Sequence, residues 1–465
     1  VADRIASVLA PVRASIGLDA GWLVGGAIRD ALLGRPFDDW DVVVPGDPGD
    51  AARAYARRSG GSPFALSERH GTWRVVGPGL TVDFTGLAGT LADDLGRRDF
   101  TVNAIAVRLD DGSIVDPHDG VGDLERRLLR PVADDAFRAD PLRLLRLARL
   151  ATELELEIPA EAFALARRDA HLADRPAGER TLAELGRLLA ARDPADALGL
   201  CDRLGVLGVV LPEVAELHGV EQSRFHHLDV FGHTLHVVDS TADIATNPDH
   251  YFPQSAAIVA AALAEPLDGS TTVDTGLRWA ALLHDIAKPT TRTLTESGLV
   301  KFFGHEAAGV AVAETIIDRL CGSAALRRFC GVLVGQHLAL GFLAKQRPLD
   351  ARTVYRYAMR TRPHAIPSVL VSLGDRLATR GDLTRLRGLR RHQEVARDMV
   401  AALAALGPVP PRLLLPADEL ARSIGLTPGP ALGELVAAVQ EEQAAGVVAS
   451  ADDAIAFGRA WVAAR

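Results

Sequence analysis

Asp39 and Asp41 lie two residues apart in RPFDDWDVVV (35–44), at the start of a run of valines. In an extended strand successive side chains alternate between faces, so Asp39 and Asp41 share one face while Asp38 and Trp40 take the other. Two carboxylates so placed repel unless a cation sits between them. Mg²⁺, which takes hard oxygen ligands and completes its shell from phosphates and water, suits that place. In two-metal transfer the ions stabilise both the attacking and the leaving oxygen. Asp83, in LTVDFTG (80–86), is a candidate third carboxylate on a neighbouring strand, and Asp38 falls to turn chemistry.

Positioning such a pair requires a strand, and a phosphate cradle should stand beside it. LVGGAIRDALLG (23–34) reads as a strand, a Gly25-Gly26 turn and a helix that opens at once. A turn of this kind exposes backbone N–H groups at a helix N-terminus, where phosphate oxygens are favoured, and Arg29 adds a charged fork one turn on. The first 132 residues alternate further short strands (WRVV, LTVDFTG, AIAVRLD) with helices. From about Asp134 the apolar spacing is helical and predicts no strand. LAEPLDGSTTVDTG (263–276) reads as a loop and LGPVPPRLLLP (406–416) as a rigid linker. The expected fold class is α+β multidomain: a small mixed-sheet head followed by an all-α remainder.

At 465 residues the chain exceeds what one core organises, so several domains are expected. The longest apolar run, Ala256 to Ala264, falls short of the roughly 20 residues that span a bilayer, and no basic-then-apolar signal pattern opens the sequence. A soluble, cytoplasmic protein without membrane partners is the expectation. Cys201, Cys321 and Cys330 show neither a disulfide framework nor a zinc spacing and read as core thiols. The formal charge of −9 argues against indiscriminate polyanion binding, yet ten arginines between Arg352 and Arg391 face only Asp375 and Asp382. Such a stripe suits phosphate contacts or solvated helix faces alike.

LVGGAIRDALLGRPFDDWDVVV, RRDFTVNAIA, DPHDGVGDLERRLLRPV and RADPLRLLRLARL together resemble the class II tRNA nucleotidyltransferase and bacterial poly(A) polymerase family, which adds CMP and AMP to RNA 3′ ends without a template. The resemblance implies a polymerase-β-type nucleotidyltransferase head. It makes Asp39 and Asp41 the catalytic Mg²⁺ pair, and Gly26, Arg29 and Arg98 nucleotide contacts, with Asp99 and Asn103 organising the Arg98 segment. A base-reading motif falls on Ala139-Asp140-Pro141-Leu142-Arg143. Cytosine and adenine each carry an amino donor beside a ring-nitrogen acceptor, which Asp140 and Arg143 match; uracil and guanine would leave both unpaired. Ala139 departs from the family's glutamate, leaving the anchoring of Arg143 to Asp134 or Asp135, or a less crisp switch between bases. Arg146 and Arg149 match further nucleotide contacts.

In the helical half, His233, His284, Asp285, His305, His337 and Asp375 form an ordered series resembling the HD metal-dependent phosphohydrolase superfamily, with ligands enough for two metals. Mixed imidazole and carboxylate suits a divalent transition metal, Mn, Ni, Fe or Zn, better than Mg alone. His226, His227 and His236 read as surface or core residues. The expected domains are a head (1–132), a helical neck with base-recognition and RNA-binding elements (133–220), an HD domain (221–392) and a helical tail (393–465). The implied reaction is transfer from CTP and ATP to a tRNA 3′ end. Poly(A) synthesis, an HD phosphohydrolase with an inactive head, and a non-catalytic RNA-binding protein are the alternatives; intact Asp39 and Asp41 argue against the last two. Addition of CCA, CC or A alone stays open.

Overall fold

The structure is a computed structural model that describes residues 14, 16–17, 20–36, 39–67, 71–77, 80–223, 225–381, 385–406 and 410–465. Asp38 and its turn lie outside them, as does Asp382. The chain divides into two units, Val1–Pro176 with Leu200–Val210, and Ala177–Gly199 with Leu211–Arg465.

The first unit is built on a mixed sheet of β1 (Trp22–Val24), β2 (Asp39–Val44), β3 (Ser62–Ser67), β4 (Thr72–Gly77), β5 (Leu80–Gly86), β6 (Ala106–Arg108) and β7 (Ile114–Val115), in the order β3-β4-β5-β2-β1-β6-β7. β2 and β5 run parallel; the other pairs are antiparallel. β2 is central because its β-branched half is apolar: Val42, Val43 and Val44 are buried together with Trp40. Pro63, which has no N–H to donate, sits in β3 at the edge of the sheet. Between β1 and helix α1 (Gly26–Leu33), Gly25 takes φ 83, a conformation that costs only glycine little. Helices α2 (Pro48–Ser59) and α3 (Leu91–Gly96) follow β2 and β5.

DPHDGVGDLERRLLRPV proves to be a brace. Asp116 accepts from the Gly120 and Val121 N–H groups (2.8 and 2.9 Å) at the start of helix α4 (Gly120–Arg126). Gly120 packs so closely that a Cβ would come within 2.1 Å of the Thr101 carbonyl oxygen. Asp123, fully buried, accepts from Thr101 Oγ1 (2.6 Å), Arg126 Nη2 (2.9 Å) and Arg130 Nε (2.9 Å), so its charge is met on every side. Helix α5 (Arg143–Glu153) carries the last of the unit's candidate site residues.

The second unit is helical: α6 (Gly178–Ala190), α7 (Val230–Thr246), α8 (Val273–Leu283), α9 (His305–Arg319), α10 (Ala324–Gln336), α11 (Ala351–Thr361), α12 (Ala365–Ala378) and α13 (Leu386–Ala405). α8 is buried from Gly276 to Leu283, where every residue but Arg278 is apolar or glycine. It packs on α7, α10 and α12. Arg278, within it, donates to the Leu189 and Ala191 carbonyl oxygens (3.0 Å each) and closes the end of α6. Helices α14 (Ala417–Ile424), α15 (Pro430–Ala444) and α16 (Ala451–Ala463) enclose their own small core of Leu420, Leu435, Val439 and Val448.

Three expectations are corrected here. A hairpin of β8 (Arg292–Leu294) and β9 (Val300–Phe302) interrupts the helical half; its strands are three residues each, too short to show a period, and Gly298 at φ 75 makes the turn. The segment read as a loop ends at Thr272, whose hydroxyl accepts from the Thr275 N–H and starts α8. Cys201 and Cys330 are buried, but Cys321 is exposed. No described helix is long and apolar enough to cross a membrane.

Candidate active sites

On β2, Asp39 and Asp41 are exposed while Trp40 is buried, so the alternation read from the sequence holds at the acid pair. Asp83 stands opposite Asp41 in the parallel β2–β5 register and is gripped by Arg74 through bonds of 2.7 and 2.8 Å. Arg74 was not foreseen; only the antiparallel β4–β5 register brings it to Asp83. Gly25 lets the chain pass beside the acids: a Cβ there would lie 3.0 Å from both Arg98 Nη1 and Asp41 Oδ2. Protein packed around Asp41 pushes its carboxyl above the usual range; Arg98 opposes the shift, and Asp83 and Asp39 add to it. An acid raised by two neighbouring acids belongs to a donor set short of positive charge, and the three carboxylates supply the hard oxygens Mg²⁺ takes, so these residues fit that ion.

The flanking residues form a hydrogen-bonded chain. Arg29 donates to Asn103 Oδ1 (2.8 Å) and through two nitrogens to Asp30 (3.0 and 2.8 Å). Asn103 Nδ2 donates to Asp99 Oδ1 (3.0 Å), and Arg146 Nη1 donates to Asp99 Oδ2 (2.9 Å). Asp99 and Asn103 therefore tie α1 to α5. Arg98 pairs with Asp94 at 3.3 Å. Gly26 lets the Arg29 guanidinium fold back, 3.4 Å from where its Cβ would be. Arg143 donates to the Ala136 (3.2 Å) and Arg97 (2.5 Å) carbonyl oxygens. Backbone thus holds it, the task the sequence left to Asp134 or Asp135. Asp140 accepts from the Leu142 N–H (3.3 Å) at the start of α5, and Arg149 pairs with Glu153 (2.7 Å) one turn on.

The six candidate ligands of the helical half converge as two triads, His233, His284 and Asp375, and Asp285, His305 and His337. Asp285 joins them: its Oδ2 lies 3.0 Å from His284 Nε2 and its Oδ1 3.3 Å from His305 Nε2. His233 Nε2 lies 3.1 Å from Asp375 Oδ1. The Nδ1 atoms of His284, His305 and His337 each bond a carbonyl oxygen three residues back (2.8, 2.7 and 2.7 Å), which turns every Nε2 toward the cluster. His233 Nδ1 is buried without a hydrogen-bond partner, and the buried Nε2 atoms of His233 and His284 face the cluster's own carboxylates.

Electrostatics suit ligation. Burial lowers His233 and pushes His337 down to about 4, which favours the neutral imidazole at both, whereas at His284 burial is outweighed by the Asp285 carboxylate, which raises that imidazole. Burial opposes the Asp285 charge, yet His284 and Lys288 hold its carboxyl well below the usual range; His233 does the same for Asp375. Ionised carboxylates and convergent imidazole nitrogens fit a divalent metal, which would supply the positive charge that Asp285 otherwise draws from His284 and Lys288.

Sequence reasoning missed two neighbours of this cluster. Lys288 Nζ lies 2.6 Å from Asp285 Oδ2 and donates to Gln222 Oε1 at 2.7 Å. His226, read as surface or core, stands edge-on to His233 (4.6 Å between ring centres) and lines the cluster's cavity. A histidine eight residues before Thr234 in sequence gave no such signal; the turn before α7 brings it there. His227 and His236 are exposed. In the arginine stripe, Arg352 and Arg356 pair with Glu442 and Glu441 of α15, so that part is structural.

Residues 21–87 and 76–130 match the poly A polymerase head domain family, and residues 230–380 match the HD domain family. The A-adding tRNA nucleotidyltransferase of Deinococcus radiodurans is 37% identical across 94% of this chain and 95% of its own length. The CC-adding tRNA nucleotidyltransferase of Thermus thermophilus is 36% identical across 94% and 93%. The Thermotoga maritima CCA-adding enzyme complexed with tRNA shares the fold, with a TM-score of 0.60 at 18% identity, covering 98% of this chain and 96% of that one. An acid pair on a mixed sheet, an HD cluster and full-length relatives agree: this chain belongs to the tRNA nucleotidyltransferase family, with a poly A polymerase head domain and an HD domain in one polypeptide.

Proposed function

We propose that the chain transfers CMP and AMP from CTP and ATP to the 3′ end of tRNA. The observation that carries this reading is the exposure of Asp39 and Asp41 on one face of β2, with Asp83 in register and Arg98 beside the Gly25 turn. The RNA 3′ hydroxyl oxygen bonds the α-phosphorus, the bond from that phosphorus to the β-bridging oxygen breaks, pyrophosphate leaves, and the hydroxyl proton passes to water. Mg²⁺, when bound, neutralises triphosphate charge and favours the attacking alkoxide. Asp39 and Asp41 hold it, while Arg74 fixes Asp83 beside them. Gly26, Arg29, Arg98, Arg146 and Arg149 orient triphosphate and ribose, and Asp140 with Arg143 reads the base edge. We assign the metal-dependent transfer to residues 1–132, base recognition and RNA binding to the neck at 133–220, and RNA support to the tail at 393–465. Labelled CTP and ATP offered separately to tRNAs truncated by one, two or three nucleotides test the reading; incorporation of neither sinks it.

A second reading concerns residues 221–392. The convergence of the two triads, with imidazole Nε2 atoms turned toward the cluster, favours a metal-dependent phosphohydrolase acting on phosphoesters. The paired triads hold the metals, whose identity we place among Mn, Ni, Fe and Zn. Metal-loaded protein inert toward both cyclic phosphodiesters and phosphomonoesters would refute it.

A further inference from the structure

The HD triads open into a cavity of about 670 Å³, and its wall carries more positive charge than one phosphate needs. Lys288 is committed to Asp285 and Gln222. Lys301 on β9, Lys345 and Arg376 also line the cavity, and none of these three has a carboxylate partner among the described residues. Arg376 is half-buried, and its Nη2 lies 3.0 Å from where a Gly388 Cβ would be, so glycine leaves that guanidinium its place. Two divalent metals held against Asp285 and Asp375, with Lys288 added, would already outweigh the charge of one terminal phosphate. Three further cations at the same opening call for a second anionic group, and the volume accommodates it. Phe225, 49% exposed, lines the same cavity, and its carbonyl oxygen is fixed by the Gly381 N–H at 2.7 Å. An aromatic face among unpaired cations suits a strand of bases and phosphates.

We infer that Lys301, Lys345 and Arg376 form a phosphate subsite outside the triads that selects a phosphorylated oligoribonucleotide end over a mononucleotide. This rests on the phosphohydrolase reading of the HD cluster. In the step it serves, a water oxygen bonds the terminal phosphorus, the bond to the ribose oxygen breaks, and that oxygen takes the proton. The preceding phosphodiester lies on the three cations and its base against Phe225.

The test compares a 3′-phosphorylated dinucleotide, a nucleoside 3′,5′-bisphosphate and a nucleoside 3′-monophosphate on metal-loaded full-length protein, with binding of a fluorescent 3′-phosphorylated trinucleotide read independently. The dinucleotide should exceed the monophosphate in kcat/KM by at least about tenfold, mainly through KM. Lys345→Ala with Arg376→Ala should collapse that ratio toward one and flatten the salt dependence of trinucleotide binding, because fewer counterions are released. Lys301→Ala, on the exposed hairpin, should lower the ratio without touching the helical core. Equal use of dinucleotide and monophosphate, or an unchanged ratio in both variants, overturns the proposal. A bisphosphate taken as well as the dinucleotide overturns the choice of an RNA strand. If no substrate is hydrolysed but trinucleotide binding still depends on Lys345 and Arg376, the hydrolase reading falls and the subsite stands.

Discussion

Asp41 and Asp83 occupy one register position on the parallel strands β2 and β5, and Arg74, reaching from β4, grips Asp83 with two hydrogen bonds of 2.7 and 2.8 Å. In-register neighbours project from the same face of a sheet, so the two carboxylates and the exposed Asp39 form one acidic edge. Asp83→Asn should lower nucleotide addition or Mg²⁺ affinity by about 10–100-fold, the range for residues that support a metal site. Asp41→Ala should abolish addition. Mg²⁺ titrations of the initial rate separate the two variants; Asp83→Asn with wild-type Mg²⁺ dependence and rate would remove Asp83 from the site.

Asp99 joins two arms of the head, taking Asn103 on one oxygen and Arg146 on the other. Asp99→Ala should cost about 1–3 kcal/mol of stability, because it removes one acceptor each from the half-buried Arg146 guanidinium and the Asn103 amide. It should raise KM for the nucleotide more than it lowers kcat. Asn103→Ala combined with it should cost less than the sum of the two, a coupling of roughly 0.5–3 kcal/mol for residues in one network. Additive denaturation midpoints would show that the chain from Arg29 to Arg146 is not acting as a unit.

Arg278, 6% exposed, bonds two carbonyls at the end of α6 and pairs with Asp274 at 3.2 Å. Arg278→Met keeps most of the volume and removes every donor. Two unsatisfied carbonyls should cost about 2–4 kcal/mol, measured as a shift in urea midpoint. Nucleotide addition per folded molecule should stay near wild type, since nothing in the proposed chemistry involves this residue.

Removing metal from the HD cluster should destabilise the helical unit. A ligand present at about 100 times its Kd contributes about 2.7 kcal/mol to the state that binds it. Dialysis against a chelator should therefore lower the melting transition, and adding back Mn²⁺, Ni²⁺, Fe²⁺ or Zn²⁺ should restore it. Asp285→Asn, which weakens the carboxylate closest to both triads, should abolish that restoration. Elemental analysis of wild-type and variant protein checks the same point without any assay of activity.

What could be read from the residues alone depended on how local the cause was. Strand alternation at Asp39, Trp40 and Asp41 is set by backbone geometry, and the structure reproduces it. The six candidate HD ligands were legible as an ordered series, and the structure gathers all of them. Arg74, Lys288 and His226 were not, because each acquires its role from a neighbour brought near by a strand register or a helix turn rather than by spacing. The β8–β9 hairpin escaped because three-residue strands carry no measurable period. The anchoring of Arg143 by the Ala136 and Arg97 carbonyl oxygens was illegible in principle, since backbone acceptors leave no mark in a sequence.

The central claim is that Asp39 and Asp41 make this chain a tRNA 3′-end nucleotidyltransferase. The most direct measurement incubates wild type, Asp39→Ala and Asp41→Ala with Mg²⁺, labelled CTP or ATP, and tRNAs lacking one, two or three of the terminal C, C and A, and sizes the products. The account predicts extension by discrete nucleotides with wild type, using CTP, ATP or both, and none with either variant. Long A tails, extension that survives loss of either aspartate, or no incorporation by wild type would contradict it.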